Sequence, residues 1–412
     1  EADVVGFSCL TTFAFTLPAI VQAVRAARPE ALLVLGGPHA SADGARALAH
    51  SGVDVVVKGE GESAFEQILQ AWQEKKGFDG IPGLIWRDAS GDAIINPGEM
   101  PMIEDVDSLP MPAYDLIDLP AYWKHQSISP IPRRRYVSLT SSRGCPYGCM
   151  WCHKIFGRKM RAHSAERVVE EMARFTKTYG VDEVEFLDDT FNFSPKRVLD
   201  IADGMKAANL KLRLSFPPAL RGDILTQDVV DALADAGTHL CALSLETGSP
   251  RLQKLMGKHL DIPKFLKAVE MVAKKNILIP GYCMMGFPTE TEEELQMTID
   301  IACASRFHTA SFFTVTPFPG SPLYEFAQQN CPEKLAAFRY DSLDFSAMQG
   351  NLTDLPDGVL FAYQRKAMRK FYSRPSRIYH FLRAYPRPEL LPVYVPIFLH
   401  RATKGLFSRI AK

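Results

Sequence analysis

Tyr136-Val-Ser-Leu-Thr-Ser-Ser142-Arg-Gly-Cys145-Pro-Tyr-Gly-Cys149-Met-Trp-Cys152 is the stretch around which the rest of the chain can be ordered. Its first residues, 136–141, read as a β-strand, and the glycine-bearing loop that follows carries three cysteines in C-x3-C-x2-C spacing. One short irregular segment thereby offers three thiolates, from Cys145, Cys149 and Cys152, to a single inorganic cluster, which a helix would not do. Three ligands leave one iron of a [4Fe-4S] cube without a protein ligand, and an open iron is a place where a small molecule can be chelated and reduced.

Plainer uses of the same thiols fit less well. A zinc site built from the trio with His153 or His163 lacks the second, distant C-x2-C pair that zinc sites usually show. A disulfide framework belongs to small, cysteine-dense chains, whereas here 8 cysteines are spread over 412 residues. Trp151, just before the last cysteine, reads on its own as core packing.

The 47 Lys and Arg balance 47 Asp and Glu, so net charge points to no nucleic-acid partner. No apolar run reaches the roughly 20 residues of a membrane span, and the longest, Leu390–Leu399, is broken by two prolines. No secretory signal precedes the first strand, and a thiolate-bound cluster with scattered free cysteines predicts a reducing cytoplasm. Glu1 is followed almost at once by what reads as a buried strand, which suggests a chain truncated at its N-terminus, with earlier strands absent.

Strands at 3–8, 31–36 and 53–57 alternate with helices at 17–28, 41–51 and 63–75, and runs of Val and Leu in the strands predict a parallel, doubly wound α/β sheet. Ligands of such sheets sit at the strand carboxyl ends, which places Ser8, Thr11, Thr12, Gly36, Gly37 and Glu60 on one rim. Gly36-Gly37 permits close approach of a ligand to backbone, or is a plain strand-to-helix turn. Residues 76–133, rich in Pro, Gly and Asp, predict a linker containing a connecting hairpin near Leu84-Ile-Trp86.

From 136 onward βα units recur, with strands near 136–141, 183–188, 211–216, 239–245, 278–285 and 309–315. Helices are predicted at 164–179, 195–208, 226–236, 261–275, 290–304 and 321–329. Ser164 is a good N-cap, and Val168, Met172, Phe175 and Tyr179 share one helical face. Functional residues should gather at the strand carboxyl ends: the thiol loop, then Asp188 and Asp189, Arg221, Glu246 and Gly286. Asp188 and Asp189 read alternatively as a helix cap, and Arg221 and Glu246 as an ion pair bracing the sheet. Residues 331–412 hold a helix near 357–372 and a basic, aromatic tail containing Tyr372, Arg374, Arg377, Tyr379, Phe381, Arg383, Tyr385 and Arg387, with Lys404, Phe407 and Arg409 beyond. Surface packing is the ordinary reading of that tail, and association with a membrane surface for a lipid-like substrate is the other.

The cluster loop closely resembles that of the radical S-adenosylmethionine (SAM) superfamily, and the order of motifs at five successive strand ends resembles that family's partial (β/α)6 barrel. Ser8-x-Leu-Thr-Thr12, Gly36-Gly-Pro-His39 and Gly59-Glu-Gly-Glu62 look like the later half of the cobalamin-binding domain found upstream of many such barrels. The resemblance implies a partial Rossmann-like cobalamin-binding domain at 1–75, a linker at 76–133, a radical SAM barrel at 134–330 and a mostly helical segment at 331–412. It implies a [4Fe-4S] cluster on the three cysteines, SAM against Trp151, Asp188 or Asp189, Arg221, Glu246 and Gly286, and cobalamin along the rim of Ser8, Thr11, Gly36, Gly37 and Glu60. By that analogy an external reductant of the flavodoxin or ferredoxin type supplies one electron, SAM is cleaved to a 5′-deoxyadenosyl radical, and methylcobalamin methylates an unactivated carbon of a small molecule. The layout also resembles the anaerobic magnesium-protoporphyrin ester cyclase branch, which implies oxidative ring closure instead. A non-catalytic cobalamin or metal sensor is the reading from a different class.

Overall fold

The computed structural model describes residues 2–125, 127–129, 131, 134–341, 350–392 and 396. Strands β1 (Val4–Ser8), β2 (Leu32–Gly36) and β3 (Val55–Val57) pair in parallel, as their apolar runs predict. The connecting helices are Leu17–Ala27 before β2 and, between β2 and β3, the pair Pro38–Ala42 and Gly44–Ser51, where a single helix at 41–51 was expected. Helix Glu62–Gln73 follows β3. The expected linker is not a linker throughout. Strands β4 (Leu84–Arg87) and β5 (Ala93–Ile95) form an antiparallel hairpin that pairs onto β3, giving a mixed five-stranded sheet in the order β1-β2-β3-β4-β5. Leu84 and Trp86 bury with Leu32, Val34, Val55 and Val57, so the boundary expected at residue 75 moves past Ile95.

The second sheet is parallel throughout. Its strands β6 (Tyr136–Leu139), β9 (Glu183–Phe186), β10 (Arg213–Leu220), β11 (Thr238–Glu246), β12 (Pro280–Met285) and β13 (Thr309–Thr314) lie side by side in chain order, while β7 (Ser142–Arg143) and β8 (Arg161–Ala162) form a separate two-stranded ladder. Sequential order with a helix after each strand is the (β/α)6 partial barrel. Local signals place the helices well. Ser164 Oγ accepts the Arg167 N–H at the start of Ala165–Tyr179, and Thr291 and Glu294 make a reciprocal capping box on Glu292–Ala304. Val168, Met172 and Phe175 turn into the main core and Tyr179 packs at its margin.

The segment after residue 330 was expected to stand outside the barrel, and its first long helix does not. Helix Asp357–Tyr372 contributes Leu360, Ala367 and Phe371 to the barrel's own core. The Tyr372 hydroxyl accepts from Ala310 N and donates to Ala310 O, and Gln364 Nε2 donates to Phe312 O, so this helix satisfies backbone groups of the edge strand β13. In the following helix, Pro375–Ala384, Arg377 is buried against Phe371 and donates to the carbonyls of Cys303 and Phe307. Surface packing therefore accounts for only part of the aromatic and basic tail. Lys404, Phe407, Arg409 and most of the apolar run that begins at Leu390 lie outside the described residues.

Candidate functional site

The cluster loop occupies the turn between β6 and helix Ala165–Tyr179 and is pinned at several points. Its ends are zipped by the β7–β8 ladder and by the His163 N–H donating to Ser141 O. Gly144, immediately before the first cysteine, has φ +89°, and a Cβ there would lie 2.3 Å from Lys159 O, so only glycine fits. Met150 N donates to Met256 O and Leu323 N donates to Met150 O, which ties the middle of the loop to segments following β11 and β13. At Gly257, φ is +69° and a Cβ would come within 2.6 Å of Gly148 O.

All three cysteines carry free thiols. Cys145 Sγ lies 3.2 Å from Thr190 Oγ1. Burial pushes the Cys149 thiol up, and burial followed by the neighbouring Cys149, Cys145 and Asp189 pushes Cys152 up to about 12. Cys152 nonetheless has exposed surface, because it lies against an open cleft while dense protein surrounds it on the other sides. Cys149 and Cys152, which resist ionisation in their own environment, call for a bound cation to hold them as thiolates. Among the described residues no three His, Cys, Asp or Glu side chains converge on a single metal ion. His163 is engaged with Asp107 at 2.9 Å, away from the zinc role weighed for it.

Around the thiols stand the strand-end residues that the sequence singles out, and the structure separates their roles. Asp188 is 3 % exposed and accepts from Ser141 Oγ at 3.0 Å and Ser142 Oγ at 2.5 Å, so it anchors the start of the cluster loop rather than facing the mouth. The Asp189 side chain keeps 24 % of its surface and lies 3.5 Å from His153 Nε2; burial raises its pKa. Arg221 and Glu246 were weighed as one ion pair and form two. Arg221 binds Asp223 at 2.8 Å, donates to Lys258 O, and stacks its guanidinium 3.6 Å from the ring of Tyr147 in the cluster loop. That engagement makes it a brace for the loop, not a free carboxylate clamp. Glu246, at φ +62°, accepts from Lys258 Nζ at 2.8 Å, and Lys258 also donates to Ser244 O. Gly286 has φ +96°, and its N–H, with that of Phe287, donates to Glu290 Oε2. Trp151 packs 5.4 Å from Phe287 and also borders the cleft, so both of its readings stand.

The first sheet meets this loop directly. Glu60 accepts from Arg161 Nη2 at 2.5 Å, Arg161 Nη1 at 3.0 Å and Ile103 N at 3.0 Å, with Arg143 3.2 Å away. Burial alone would raise its pKa, but the contacts from Arg161, Ile103 and Arg143 hold it below the usual range. Its carboxylate thus joins the β7–β8 ladder to the first sheet, and Glu60 also lines the cleft between the two halves of the chain. Glu62 extends that joint by binding Arg143 at 2.5 Å. Gly37, at φ +90°, makes room for Cys9 N and Ser8 Oγ, both 2.9 Å from where its Cβ would be; the close approach is chain to chain. Gly36 has open space beside it.

Between the halves lies a cleft of about 950 Å³. Leu10, Thr11, Ser41 and Gly59 form part of one wall, and Trp151, Cys152, His153 and Phe318 part of the other. Thr11 is thereby on the cleft, whereas Ser8, Gly36 and Gly37 are not among its lining residues. Sequence reading missed Lys258, Thr190, Arg143 and Arg161, because each acts through a partner distant in the chain. The glycine in Gly257-Lys258, beside the cluster loop, is the one local signal that pointed there.

The chain belongs to the radical SAM superfamily, whose family model matches residues 139–302. Within it, the chain carries a B12-binding domain, matched over residues 1–69. It is 30 % identical over 380 residues to an uncharacterized methyltransferase of Pyrococcus horikoshii, covering 91 % of this chain and 80 % of that one. It is 25 % identical over 398 residues to the anaerobic magnesium-protoporphyrin IX monomethyl ester cyclase of Cereibacter sphaeroides, covering 93 % and 63 %. The cobalamin-dependent SAM radical enzyme OxsB with aqua-cobalamin bound superposes with a TM-score of 0.71 at 16 % identity, over 97 % of this chain and 67 % of that one. The radical SAM methyltransferase TsrM of Kitasatospora setae gives 0.66 at 22 %, over 80 % and 67 %. These two are likenesses of fold.

Membership brings a [4Fe-4S] cluster, SAM and cobalamin, and the residues present fit all three. The thiol trio would supply the cluster's ligands, the acidic pair Asp189 and Glu246 beside it suits a cationic nucleotide, and the cleft between the halves adjoins Cys152. Among the described residues no helix is long and apolar enough to cross a membrane.

Proposed function

We propose that this enzyme methylates an unactivated carbon of a small-molecule substrate, using methylcobalamin in the cleft and SAM on the cluster, with a flavodoxin- or ferredoxin-type protein as electron donor. The observation that carries the reading is the shared cleft: Cys152 of the cluster loop and Thr11 and Gly59 of the first sheet line one continuous space. When bound, the cofactors would supply reductive cleavage of SAM to a carbon-centred radical and a transferable methyl group.

The chain's own residues position and enclose. Cys145, Cys149 and Cys152 are the proposed cluster ligands, with Thr190 beside the first. Asp189 and Glu246 are proposed for the amino and ribose groups of SAM, Glu246 being held in its left-handed conformation by Lys258. The turn at Gly286 is proposed to lie beside the adenine, with Trp151 and Phe287 packed together on that side. Asp188 and Arg221 are assigned to the loop's support.

The relative from Pyrococcus, similar over 91 % of the chain, supports methyl transfer. The cyclase, similar over 93 %, keeps oxidative ring closure as the second reading. Anaerobic reconstitution with cluster, cobalamin, SAM and reductant separates the two: methylation yields S-adenosylhomocysteine together with 5′-deoxyadenosine. 5′-Deoxyadenosine alone, with substrate turned over, would favour cyclisation. No SAM cleavage by fully loaded, reduced protein would leave the sensor reading.

A further inference from the structure

Charge is distributed along this chain very unevenly. From Gly358 to the C-terminus there are twelve Lys and Arg and a single acid, Glu389, in a chain whose totals balance at 47 each. The preceding 357 residues therefore carry a net −11 against +11 for this segment. Such segregation is a physical signal for an anionic partner that the overall net charge conceals.

The structure shows where part of that charge is presented. Helix Pro375–Ala384 turns Arg377, Phe381 and Ala384 toward the protein and leaves Ile378 (53 % exposed), Tyr379 (60 %) and Leu382 (42 %) on its outer side. Around these apolar residues stand Arg306 and Arg383, both exposed and with no ion-pair partner among the described residues, and Arg374, which reaches only the carbonyl of Cys303. After burial, the charges of Arg306, Arg383 and Arg377 lower the His380 pKa, as expected where cations converge without an acid. An outward apolar strip flanked by Arg on a helix with no Asp or Glu is the pattern of an interfacial helix. The chain continues beyond it with the same composition, apolar and basic, with no acid after Glu389.

We propose that the outer face of helix Pro375–Ala384, with Arg306, Arg374 and Arg383, docks on an anionic phospholipid surface. An RNA backbone would satisfy the arginines and Tyr379 offers one ring for a base, but aliphatic Ile378 and Leu382 on either side of it add no stacking surface, whereas all three side chains enter the headgroup region of a bilayer favourably. The geometry also restricts what docking does. Ala384 and Tyr385 pack with Ile131, Leu240 and Leu278, near the amino ends of β11 and β12, the end of the barrel opposite the cluster loop. Docking therefore holds the enzyme at a membrane while its cleft faces away, a tether rather than a route for lipid into the cleft. The proposal is independent of which carbon the enzyme alkylates.

Sedimentation of the full chain with sucrose-loaded vesicles tests it. Vesicles of phosphatidylcholine with phosphatidylglycerol should bind the protein, and vesicles of phosphatidylcholine alone should not. Binding should weaken as salt is raised, because exposed charges are screened over roughly 10 Å at 0.1 M. Each neutralised cation should cost roughly fivefold in affinity, so R306Q/R383Q should bind about 25-fold more weakly. The variant I378S/L382S should lose binding even at low salt. Thermal melting of both variants confirms that they are folded, as expected for exposed positions; R383Q alone, with its fivefold loss, is the milder check. Equal binding to both vesicle types, unchanged affinity in the helix variants, or tighter binding to an unstructured RNA than to the anionic vesicles would each overturn the proposal.

Discussion

The two ends of the barrel use the same residue types to opposite effect. At the amino end of the strands, Arg134 reaches Glu183 and, at 2.7 Å, Glu185, all three side chains being at most 1 % exposed, with His239 Nε2 2.9 Å from Glu183. Ile131, Leu240, Leu278, Ala384 and Tyr385 close that end. At the carboxyl end, Asp189 faces only the half-exposed His153, Glu246 is held in a left-handed conformation, and Glu290 Oε1 is buried without a hydrogen-bond partner among the described residues. The Cys149 and Cys152 thiols there resist ionisation. One end compensates its charges internally and is a plug. The other pairs Glu246 with Lys258 but leaves Asp189 and the thiols to be completed from outside, which is how a binding site for a metal cluster and a cationic nucleotide differs from a structural ion pair.

The largest effect expected from breaking this contrast is at the open end. Cys149→Ala should abolish cluster assembly and bring 5′-deoxyadenosine formation to background, with iron and sulfide analysis and visible absorption reporting the loss. The melting temperature of the apoprotein should scarcely move, since the side chain is small and a neutral replacement removes a thiol that burial already disfavours as an anion. A variant that kept a normal cluster would show that the open end is not the cluster site.

Arg134→Met addresses the closed end. It leaves two carboxylates at 0 % exposure without their guanidinium, and removing one partner of a buried pair typically costs about 3 to 5 kcal/mol. Denaturant unfolding should show that loss, while the folded fraction still assembles a cluster. Asp189→Asn should do the reverse, weakening SAM binding to the cluster-loaded protein about tenfold in calorimetry and changing stability by less than about 0.5 kcal/mol. If both substitutions destabilised equally and left SAM affinity alone, the distinction between plug and site would fail.

Much of this architecture is legible from local pattern. The helix at 357–372 and all six barrel strands follow from apolar periodicity, caps and glycine stops, because those signals act within a few residues. Three thiolates in eight residues are equally local. What was misread is long-range. Glu60 looks the same in sequence whether its carboxylate meets a cofactor or an arginine 101 residues later, and it meets Arg161. Asp188 and Asp189 are adjacent and alike, yet Asp188 is turned onto Ser141 and Ser142 while its neighbour faces the mouth. The hairpin of β4 and β5 has strand character, but nothing local says that β3 is its partner.

The finest difference between the ends should appear in their response to pH. At the closed end, burial would raise the Glu183 pKa, but contacts from His239 and Arg134 hold it below the ordinary value; its stabilising contribution is present above about pH 4.5 and is lost as pH falls through the lower, folded value. Glu290 has the opposite sign. Burial outweighs the Gly286 and Phe287 amides and lifts it from 4.5 to about 8, so the folded chain keeps a proton that the unfolded chain has released. Stability from this group is full below about pH 4.5 and declines as pH rises toward 8. Glu290→Gln keeps the shape and the acceptor oxygen for Gly286 N and Phe287 N but cannot ionise. Melting temperatures of apoprotein between pH 5 and 8 should therefore fall less steeply in the variant, by about a degree per pH unit. Parallel slopes in the two proteins would mean that water or a cation reaches Glu290 in the folded chain. The open end would then be wetter at its base than its geometry implies, and nearer in character to an ordinary surface cleft than to a site that holds a carboxyl group neutral.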